Sequence, residues 1–272
     1  MTIKEALLLA KSRISHVSDI PQKESAILLS FATGLTQSEL ITKDLLEFDE
    51  EHFFGLIDRR ANYEPIEYIT GRANFYSLSF DVSNDCLIPR PETELLIDMV
   101  KEECAKTRFK RVADVCTGSG AIAITLAHEI PELNIFASDI STNALNIAKQ
   151  NAKKHLLQER VCFLEGDLLE PLPSCDIIVS NPPYIADNYD LPESVKYEPK
   201  IALFSGTDGA DLIKKLIVQF DAHDAKVLFC EFGYDQRDIV QNFCKNFSFF
   251  SLEFYKDFAG LTRGFVIRKI GD

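Results

Sequence analysis

The sequence predicts an α/β protein in which a small helical domain precedes a mainly parallel β-sheet. Apolar residues recur at helical spacing over the first 70 residues, and seven short β-rich runs alternate with helical stretches from Arg111 onward. Strands separated by helices are typical of βαβ units, whose ligands bind at the carboxyl ends of the strands. We therefore expect a helical domain at 1–70, a β-hairpin linker at 71–88 and an α/β domain at 89–272.

The N-terminal region carries helix signals but no pattern of chemical residues. Pro21 is placed to begin a second helix, Gly34 to end it, and Thr36 with Glu39 forms a capping-box pattern for a third. A further helix is expected from about Glu50. Because nucleotide, metal and catalytic motifs are missing from this region, we expect it to dock a substrate rather than to act on it.

A connector and a helix start follow. The alternation of Phe75, Leu78, Phe80 and Val82 predicts a two-stranded hairpin. The next segment, Arg90 to Glu94, has a proline and acidic residues that suit a helix N-terminus. This segment is also a candidate for closing over a bound ligand, and the sequence leaves both interpretations open.

The seven β-rich runs define the predicted sheet. The last two have no convincing helix between them, so one of them should be antiparallel to the rest. The predicted strands are 111–115, 134–138, 161–164, 176–180, 226–231, 247–254 and 265–267.

Composition restricts the function classes. A formal charge of −13 and a pI near 4.9 argue against tight nucleic-acid binding, which depends on clustered Lys and Arg. The seven cysteines contain no CxxC pair, so we expect reduced thiols and no zinc site. The short apolar stretch near the start is flanked by charged residues and is too short for a membrane span, so a cytoplasmic protein without membrane association is expected.

A candidate nucleotide-type site follows the first strands of the sheet. Cys116-Thr117-Gly118-Ser119-Gly120 comes directly after the first strand, where glycines let a ligand approach the backbone. Asp139 ends the second strand, 19 residues beyond Gly120, where a carboxylate can accept hydrogen bonds from ribose hydroxyls. Asp167-Leu168 follows the third strand, where an adenine ring would lie. This ordered series predicts a binding site at one edge of the sheet.

The fourth strand of the series ends in Asn181-Pro182-Pro183-Tyr184. An amide or exocyclic aromatic NH2 has a delocalised lone pair and is a poor nucleophile. An asparagine oxygen and a neighbouring backbone carbonyl could each accept one of its N–H bonds and aim the nitrogen at an electrophile. The two prolines stiffen the loop, and Tyr184 offers an aromatic face. These residues predict a site for a flat, conjugated nitrogen.

Taken together, these motifs resemble those of the release factor glutamine methyltransferase family, also called the HemK family, within the class I methyltransferases. The resemblance covers nearly the whole chain and is most specific where Arg90-Pro91-Glu92-Thr93-Glu94 precedes the cofactor loop and Asn181 to Tyr184 follows it. Further matching segments are Pro65 to Gly71, Glu198-Pro199-Lys200 with Ala202-Leu203, Asp208-Gly209, and Glu231 with Gly233.

The resemblance implies a seven-stranded, Rossmann-like class I sheet and S-adenosylmethionine as methyl donor, with S-adenosylhomocysteine as product. The implied acceptor is the glutamine of a Gly-Gly-Gln loop in bacterial class I peptide-chain release factors. In the implied cofactor site, Asp139 holds the ribose. The other implied cofactor-binding residues are Cys116, Thr117, Gly118, Ser119, Gly120, Asp167, Leu168 and Asn181.

The implied acceptor site consists of Asn181, Pro182, Pro183 and Tyr184, with Asn181, Pro182 and Tyr184 as the catalytic residues. One departure from the family pattern is Cys116, which stands where a glycine is often found. We expect the thiol to fit if this residue keeps a negative φ.

Three alternatives remain open from the residues alone. The acceptor could be the exocyclic amine of a nucleic-acid base, such as adenine N6, because that group is flat and conjugated like a carboxamide. It could also be a glutamine of a ribosomal protein. Finally, the chain could bind the cofactor without catalysis, which would require a broken acceptor site. Labelled cofactor offered with each candidate acceptor would separate these possibilities.

Overall fold

The computed structural model describes residues 1–247 and 250–269, which form two compact units. The smaller unit consists of Met1–Arg72 together with Leu191–Tyr197. The larger unit consists of Ala73–Asp190 and Glu198–Asp272, and residues 248–249 and 270–272 of it are not described. The hairpin that was predicted as a linker therefore belongs almost entirely to the larger unit.

The smaller unit is helical, as the sequence predicts. Pro21 begins the second helix, Gly34 ends it with a φ of 71°, and Thr36 and Glu39 form the predicted capping box. The helices pack around buried apolar residues that include Ile14, Leu28 and Phe53. Their bounds are α1 Ile3–Ile14, α2 Pro21–Thr33, α3 Gln37–Thr42, α4 Glu50–Ala61 and α5 Ile66–Thr70.

Polar contacts reinforce this helical unit. Arg60 and Glu24 form a nearly buried ion pair at 2.8 Å, and Arg60 also donates to the Val17 carbonyl. The Tyr197 hydroxyl donates to the Asn62 carbonyl at 2.8 Å. That last bond fixes the segment Leu191–Tyr197, which is distant in sequence, to the end of α4.

The predicted hairpin is confirmed as β1 Arg72–Phe75 and β2 Leu78–Asp81. Tyr76 and Ser77 connect the strands with φ values of 49° and 66°, as a tight hairpin turn requires. Asn151 holds the second strand, since its side chain accepts from the Asp81 N–H and donates to the Asp81 carbonyl.

The larger unit contains a seven-stranded sheet with the order β5-β4-β3-β6-β7-β9-β8. Its strands are β3 Arg111–Val115, β4 Asn134–Asp139, β5 Val161–Glu165, β6 Ile177–Ser180, β7 Val227–Glu231, β8 Phe250–Lys256 and β9 Thr262–Lys269. Only β9 runs antiparallel to the others, which confirms the predicted single reversal. The helices are α6 Glu94–Lys106, α7 Ala121–Glu129, α8 Thr142–Lys154, α9 Asp211–Ala222 and α10 Arg237–Cys244.

Strand boundaries agree with the predictions except in the last two strands. β9 is longer than the predicted 265–267, and residues 248–249 of the predicted 247–254 strand lie outside the described residues. The length of β9 could not be predicted because arginine and glycine stand near one end and arginine and lysine at the other, and such residues are compatible with an exposed strand as well as with a loop.

The sheet is buried on both faces by two apolar clusters, and all four residues of β6 are buried. After β3 the chain builds β4 and β5 on one side, and then returns to place β6 on the other side of β3. Such a switch in strand order opens a crevice at the carboxyl ends of the strands. Within the described residues, none of the helices combines the length and apolarity needed to cross a bilayer.

Candidate active site

The loop between β3 and α7 is shaped by a buried carboxylate. Asp114 is fully buried, and its Oδ2 accepts the Thr117 hydroxyl at 2.6 Å and the Ala123 N–H at 3.0 Å. The Thr117 N–H in turn donates to the Ser138 carbonyl of β4. Burial raises the pKa of Asp114 to about 7. These bonds fold the Cys116–Gly120 loop around one acid.

Three residues of this loop have left-handed backbone conformations. Cys116 has a φ of 61°, so the negative φ on which the expected fit of the thiol depended is not found here. The loop must reverse between a strand and a helix within five residues, and Cys116 accepts a strain of roughly 1–2 kcal/mol that glycine would avoid. Burial holds the pKa of its thiol well above the ordinary value, so the thiol is neutral.

The two loop glycines face different surroundings. A Cβ on Gly118 would meet no atom within 4 Å, so the backbone there is open to a ligand. A Cβ on Gly120 would lie 2.8 Å from the Ile124 Cδ1 and 3.1 Å from the Ala148 Cβ. The absence of a side chain at Gly118 therefore lets a ligand come close to the backbone, whereas the absence of one at Gly120 lets α7 and α8 pack closely.

Asp139 connects this loop to the end of β4. Its Oδ2 accepts the Gly118 N–H and its Oδ1 accepts the Ser141 N–H, both at 2.9 Å. Burial raises its pKa despite these donors. Each carboxylate oxygen has a second lone pair, so Asp139 can still accept from a pair of ligand hydroxyls.

A pocket of about 890 Å³, counting its open mouth, lies at the ends of β3 to β6. Six of the predicted cofactor residues line it, together with Pro183 and apolar neighbours such as Ile140. Those six are Cys116, Gly118, Asp139, Asp167, Leu168 and Asn181. The open backbone at Gly118 and the remaining lone pairs of Asp139 fit a cofactor that contains a nucleoside.

The other predicted site residues do not line the larger pocket. Thr117 and Ser119 line a smaller pocket that also contains Thr93 and Asn181. Gly120, Pro182 and Tyr184 line neither pocket. Asp167 pairs with Lys215 at the surface. The larger and smaller pockets share Cys116, Gly118 and Asn181, so the predicted cofactor and acceptor residues are brought together at Asn181.

Asn181 presents an acceptor that has no partner. Its Nδ2 donates to the Thr93 hydroxyl at 3.0 Å, whereas its Oδ1 is buried and makes no hydrogen bond within the described residues. A buried polar atom without a partner costs roughly 1–3 kcal/mol, so such atoms are rare in folded proteins. Oδ1 is the atom predicted from sequence to accept an N–H of the substrate.

Behind Asn181 lies a second buried carboxylate. Glu231 ends β7 and is buried; its Oε2 accepts the Thr93 hydroxyl at 2.7 Å and its Oε1 accepts the Tyr184 hydroxyl at 3.1 Å. Burial raises the pKa of Glu231 to about 7 and also raises that of Tyr184. The Tyr184 ring packs against the apolar cluster on its face of the sheet.

Other side chains fix the loop that carries Asn181. The Gln236 amide donates to the carbonyls of Tyr184 and Asp208, at 2.8 and 3.1 Å. A Cβ on Gly209 would lie 2.3 Å from the Tyr184 carbonyl oxygen, so only glycine permits this approach. The segment from Arg90 to Glu94 begins α6 through a 3₁₀ turn, and an Arg90–Glu198 ion pair holds it. Its closure over a ligand stays a prediction.

Sequence reasoning missed Thr93, Glu231 and Gln236 as functional residues. Thr93 and Glu231 fall in segments that resemble the family, but they are 138 residues apart and no spacing rule links them. His128, His155 and His223 line neither pocket. His155, for example, bonds to the Ser79 carbonyl.

Comparison with known proteins finds relatives that match nearly the whole chain. Residues 91–196 match the model of the methyltransferase small domain, and residues 5–71 match that of the PrmC N-terminal domain. The chain is 38% identical to the release factor glutamine methyltransferase of Clostridium acetobutylicum, over 97% of each chain. It is 37% identical to the enzyme of the same name from Moorella thermoacetica, over 98% of each.

A solved structure supports the fold alone. The hMettl16 catalytic domain in complex with MAT2A 3'UTR hairpin 1 superposes with a TM-score of 0.60 at 17% identity, covering 72% of this chain and 76% of that one. This likeness agrees with the seven-stranded architecture of the larger unit.

Proposed function

We propose that this chain, which belongs to the release factor glutamine methyltransferase family, methylates the side-chain amide nitrogen (N5) of the glutamine in a Gly-Gly-Gln loop of a bacterial class I release factor. Membership in the family makes the chain a methyltransferase that acts on glutamine. The Gly-Gly-Gln loop as the site of modification and S-adenosylmethionine as the donor are parts of the proposal.

The larger pocket supports the choice of cofactor. Asp139 would hold the ribose hydroxyls, the open backbone at Gly118 would lie against the methionine part, and Ile140 and Leu168 would pack against the adenine. When bound, S-adenosylmethionine supplies an electrophilic methyl group on its sulfonium. Because that methyl needs no activation, the protein has to contribute alignment rather than an acid or a base.

One observation carries the proposal: the buried Oδ1 of Asn181, which has no partner within the described residues. An incoming carboxamide would donate one N–H to this oxygen and its other N–H to the Pro182 carbonyl. Both bonds turn the face of the nitrogen toward the cofactor side of the site and stabilise the positive charge that develops there. The nitrogen would gain the methyl group as the bond from that carbon to sulfur breaks, leaving S-adenosylhomocysteine, and would release one proton to solvent, so a general base is not required.

Methyl transfer to the intact release factor tests this function. The purified protein, labelled S-adenosylmethionine and a release factor should yield one labelled methyl group on the glutamine of the Gly-Gly-Gln peptide, as mass spectrometry would locate it. A release factor with that glutamine replaced by alanine is the control and should stay unlabelled. Label in a ribosomal protein or in DNA, with none in the release factor, would contradict the proposal.

We also propose that the helical unit docks the release factor, because a three-residue loop offers little surface for recognition. Leu8 and Ile41 are 58% and 81% exposed and line the same groove of this unit. Replacing each with glutamate should raise the KM for the intact factor and leave turnover of a short Gly-Gly-Gln peptide unchanged. Equal effects on both substrates would refute the docking role.

A further inference from the structure

We propose that Glu231 and Thr93 are positioning residues that set the orientation of the Asn181 amide, an inference that rests on the proposed function. Their three side chains form a continuous hydrogen-bonded series from the end of β7 to the acceptor site. Thr93 donates to Glu231 at 2.7 Å and accepts from the Asn181 Nδ2 at 3.0 Å. The series ends at the Asn181 Oδ1, a buried acceptor that makes no hydrogen bond within the described residues.

The direction of the series follows from counting protons. A threonine hydroxyl has one hydrogen, and here it donates that hydrogen to the Glu231 side chain. The lone pairs of the Thr93 oxygen then face Asn181, so Asn181 must turn its NH2 toward Thr93 and its oxygen away. An inverted amide would place two acceptor oxygens against each other and would meet the substrate NH2 with another donor.

The surroundings of Glu231 make it a poor partner for anything else. Its second oxygen is occupied by the Tyr184 hydroxyl, and the neighbouring charges are those of Glu92 and Arg263, which act in opposite directions. The charge of Glu231 also helps to raise the pKa values of Tyr184, Cys230 and Tyr255. Glu231 lines neither pocket, so it would act on the substrate through the side chains that it contacts, which are Thr93, bonded in turn to Asn181, and Tyr184.

Paired variants separate this role from simple packing. Thr93→Val keeps the shape but removes the hydroxyl, whereas Thr93→Ser keeps the hydroxyl. Glu231→Met removes the acceptor, and Glu231→Gln keeps an acceptor oxygen. Thr125→Val is a matched control, because Thr125 is also buried in the larger unit and its hydroxyl makes no hydrogen bond within the described residues.

The readouts are kcat with intact release factor, the KM for S-adenosylmethionine and cofactor binding by calorimetry. Thr93→Val and Glu231→Met should each lower kcat on the order of 10-fold, as expected for the loss of one hydrogen bond. Both should keep cofactor affinity within about 3-fold, because neither loses a bond to Asp139 or Gly118. Thr93→Ser, Glu231→Gln and Thr125→Val should stay within about 3-fold of the wild-type kcat.

Several results would overturn the proposal. One is a Thr93→Val enzyme whose kcat equals that of Thr93→Ser; another is a Glu231→Met enzyme that equals Glu231→Gln. If one hydroxyl-free or acceptor-free variant does not fold, the other pair decides the question. A wild-type enzyme that fails to methylate the release factor would contradict the proposed function instead, so the two failures are distinguishable.

Discussion

The cofactor loop and the acceptor site are each organised by a buried carboxylate that accepts a threonine hydroxyl. Asp114 accepts Thr117 at 2.6 Å, and Glu231 accepts Thr93 at 2.7 Å; burial raises both pKa values to about 7. Asp114 also accepts a backbone N–H and so fixes the fold of a loop. Glu231 accepts only hydroxyls in the described contacts and so fixes side chains. A buried carboxylate paired with a threonine hydroxyl therefore fixes the backbone of the cofactor loop in one region and orients side chains of the acceptor site in the other.

The largest effect expected is at the acceptor site itself. Asn181→Ala should lower methyl transfer on the order of 10²-fold or more, because it removes the oxygen that orients the substrate nitrogen. Cofactor binding should survive, since Asp139 and the cofactor loop are unchanged. Single-turnover transfer to the release factor and calorimetry with S-adenosylhomocysteine measure the two quantities. Near-normal transfer would remove Asn181 from the mechanism.

A smaller effect is expected from a substitution in the cofactor loop, and it should appear in cofactor affinity rather than in kcat. Thr117→Val removes a hydrogen bond to a carboxylate, which should weaken cofactor binding on the order of 10-fold. The kcat at saturating cofactor should change little, in contrast to Thr93→Val. Titration with S-adenosylhomocysteine and saturation kinetics would show the contrast. If Thr117→Val and Thr93→Val changed the same parameter, the two regions would not be separable.

A pH profile sharpens the comparison further. Because the pKa of Glu231 is raised to about 7, lowering the pH through 7 protonates it, and the neutral acid keeps a single carbonyl acceptor for the Thr93 and Tyr184 hydroxyls, as glutamine would. We expect kcat to fall by no more than about 3-fold between pH 8 and 6, which is the size of change expected for Glu231→Gln, and the Glu231→Gln enzyme to show a flatter profile. An Asp114→Asn enzyme is the control and should keep the wild-type dependence of kcat. A Glu231→Gln profile identical to that of the wild type would contradict this assignment.

The same two acids should affect stability with a definite sign. Their folded-state pKa values of about 7 exceed the ordinary values of 3.8 and 4.5, so the folded protein binds these protons more tightly than the unfolded chain. Their contribution to the free energy of unfolding is greatest below those ordinary values and is lost as the pH rises through 7. Denaturant titrations of the wild type and of the Asp114→Asn and Glu231→Gln variants would measure it.

The smallest effect is expected at Cys116. Replacing it with glycine relieves the left-handed strain at φ 61° but loses contacts of the side chain with the neighbouring apolar cluster. Because these terms oppose each other, cofactor affinity should stay within about 3-fold of the wild-type value. Calorimetry with S-adenosylhomocysteine measures it. A Cys116→Gly enzyme that lost binding would show that the thiol has a role of its own.

The two regions also differ in how far they can be predicted from sequence. The contacts of Asp114 span 3 and 9 residues, so the strand, the glycine turn and the helix reveal the cofactor loop without a structure. The contacts of Glu231 span 47 and 138 residues, and only the folded sheet brings Thr93, Tyr184 and Glu231 together. Sequence patterns report local periodicity and turns, whereas long-range side-chain hydrogen bonds leave no periodic trace.

The backbone conformation at Cys116 could not be predicted from the sequence, for a related reason. A cysteine is compatible with a negative φ in most settings, and only the short turn between β3 and α7 forces it into the left-handed region. The helix caps at Gly34 and Thr36, by contrast, depend on residues within one turn of each other and follow directly from the sequence.

The most direct test is a crystal structure of the protein with S-adenosylhomocysteine and a release factor. The glutamine nitrogen should lie 2.7–3.2 Å from the Asn181 Oδ1, within normal hydrogen-bond distance. The Asn181 Nδ2 should remain on Thr93, and the cofactor sulfur should be on the open side of the nitrogen. A glutamine amide bound away from Asn181, or an Asn181 amide with its oxygen turned toward Thr93, would contradict the account.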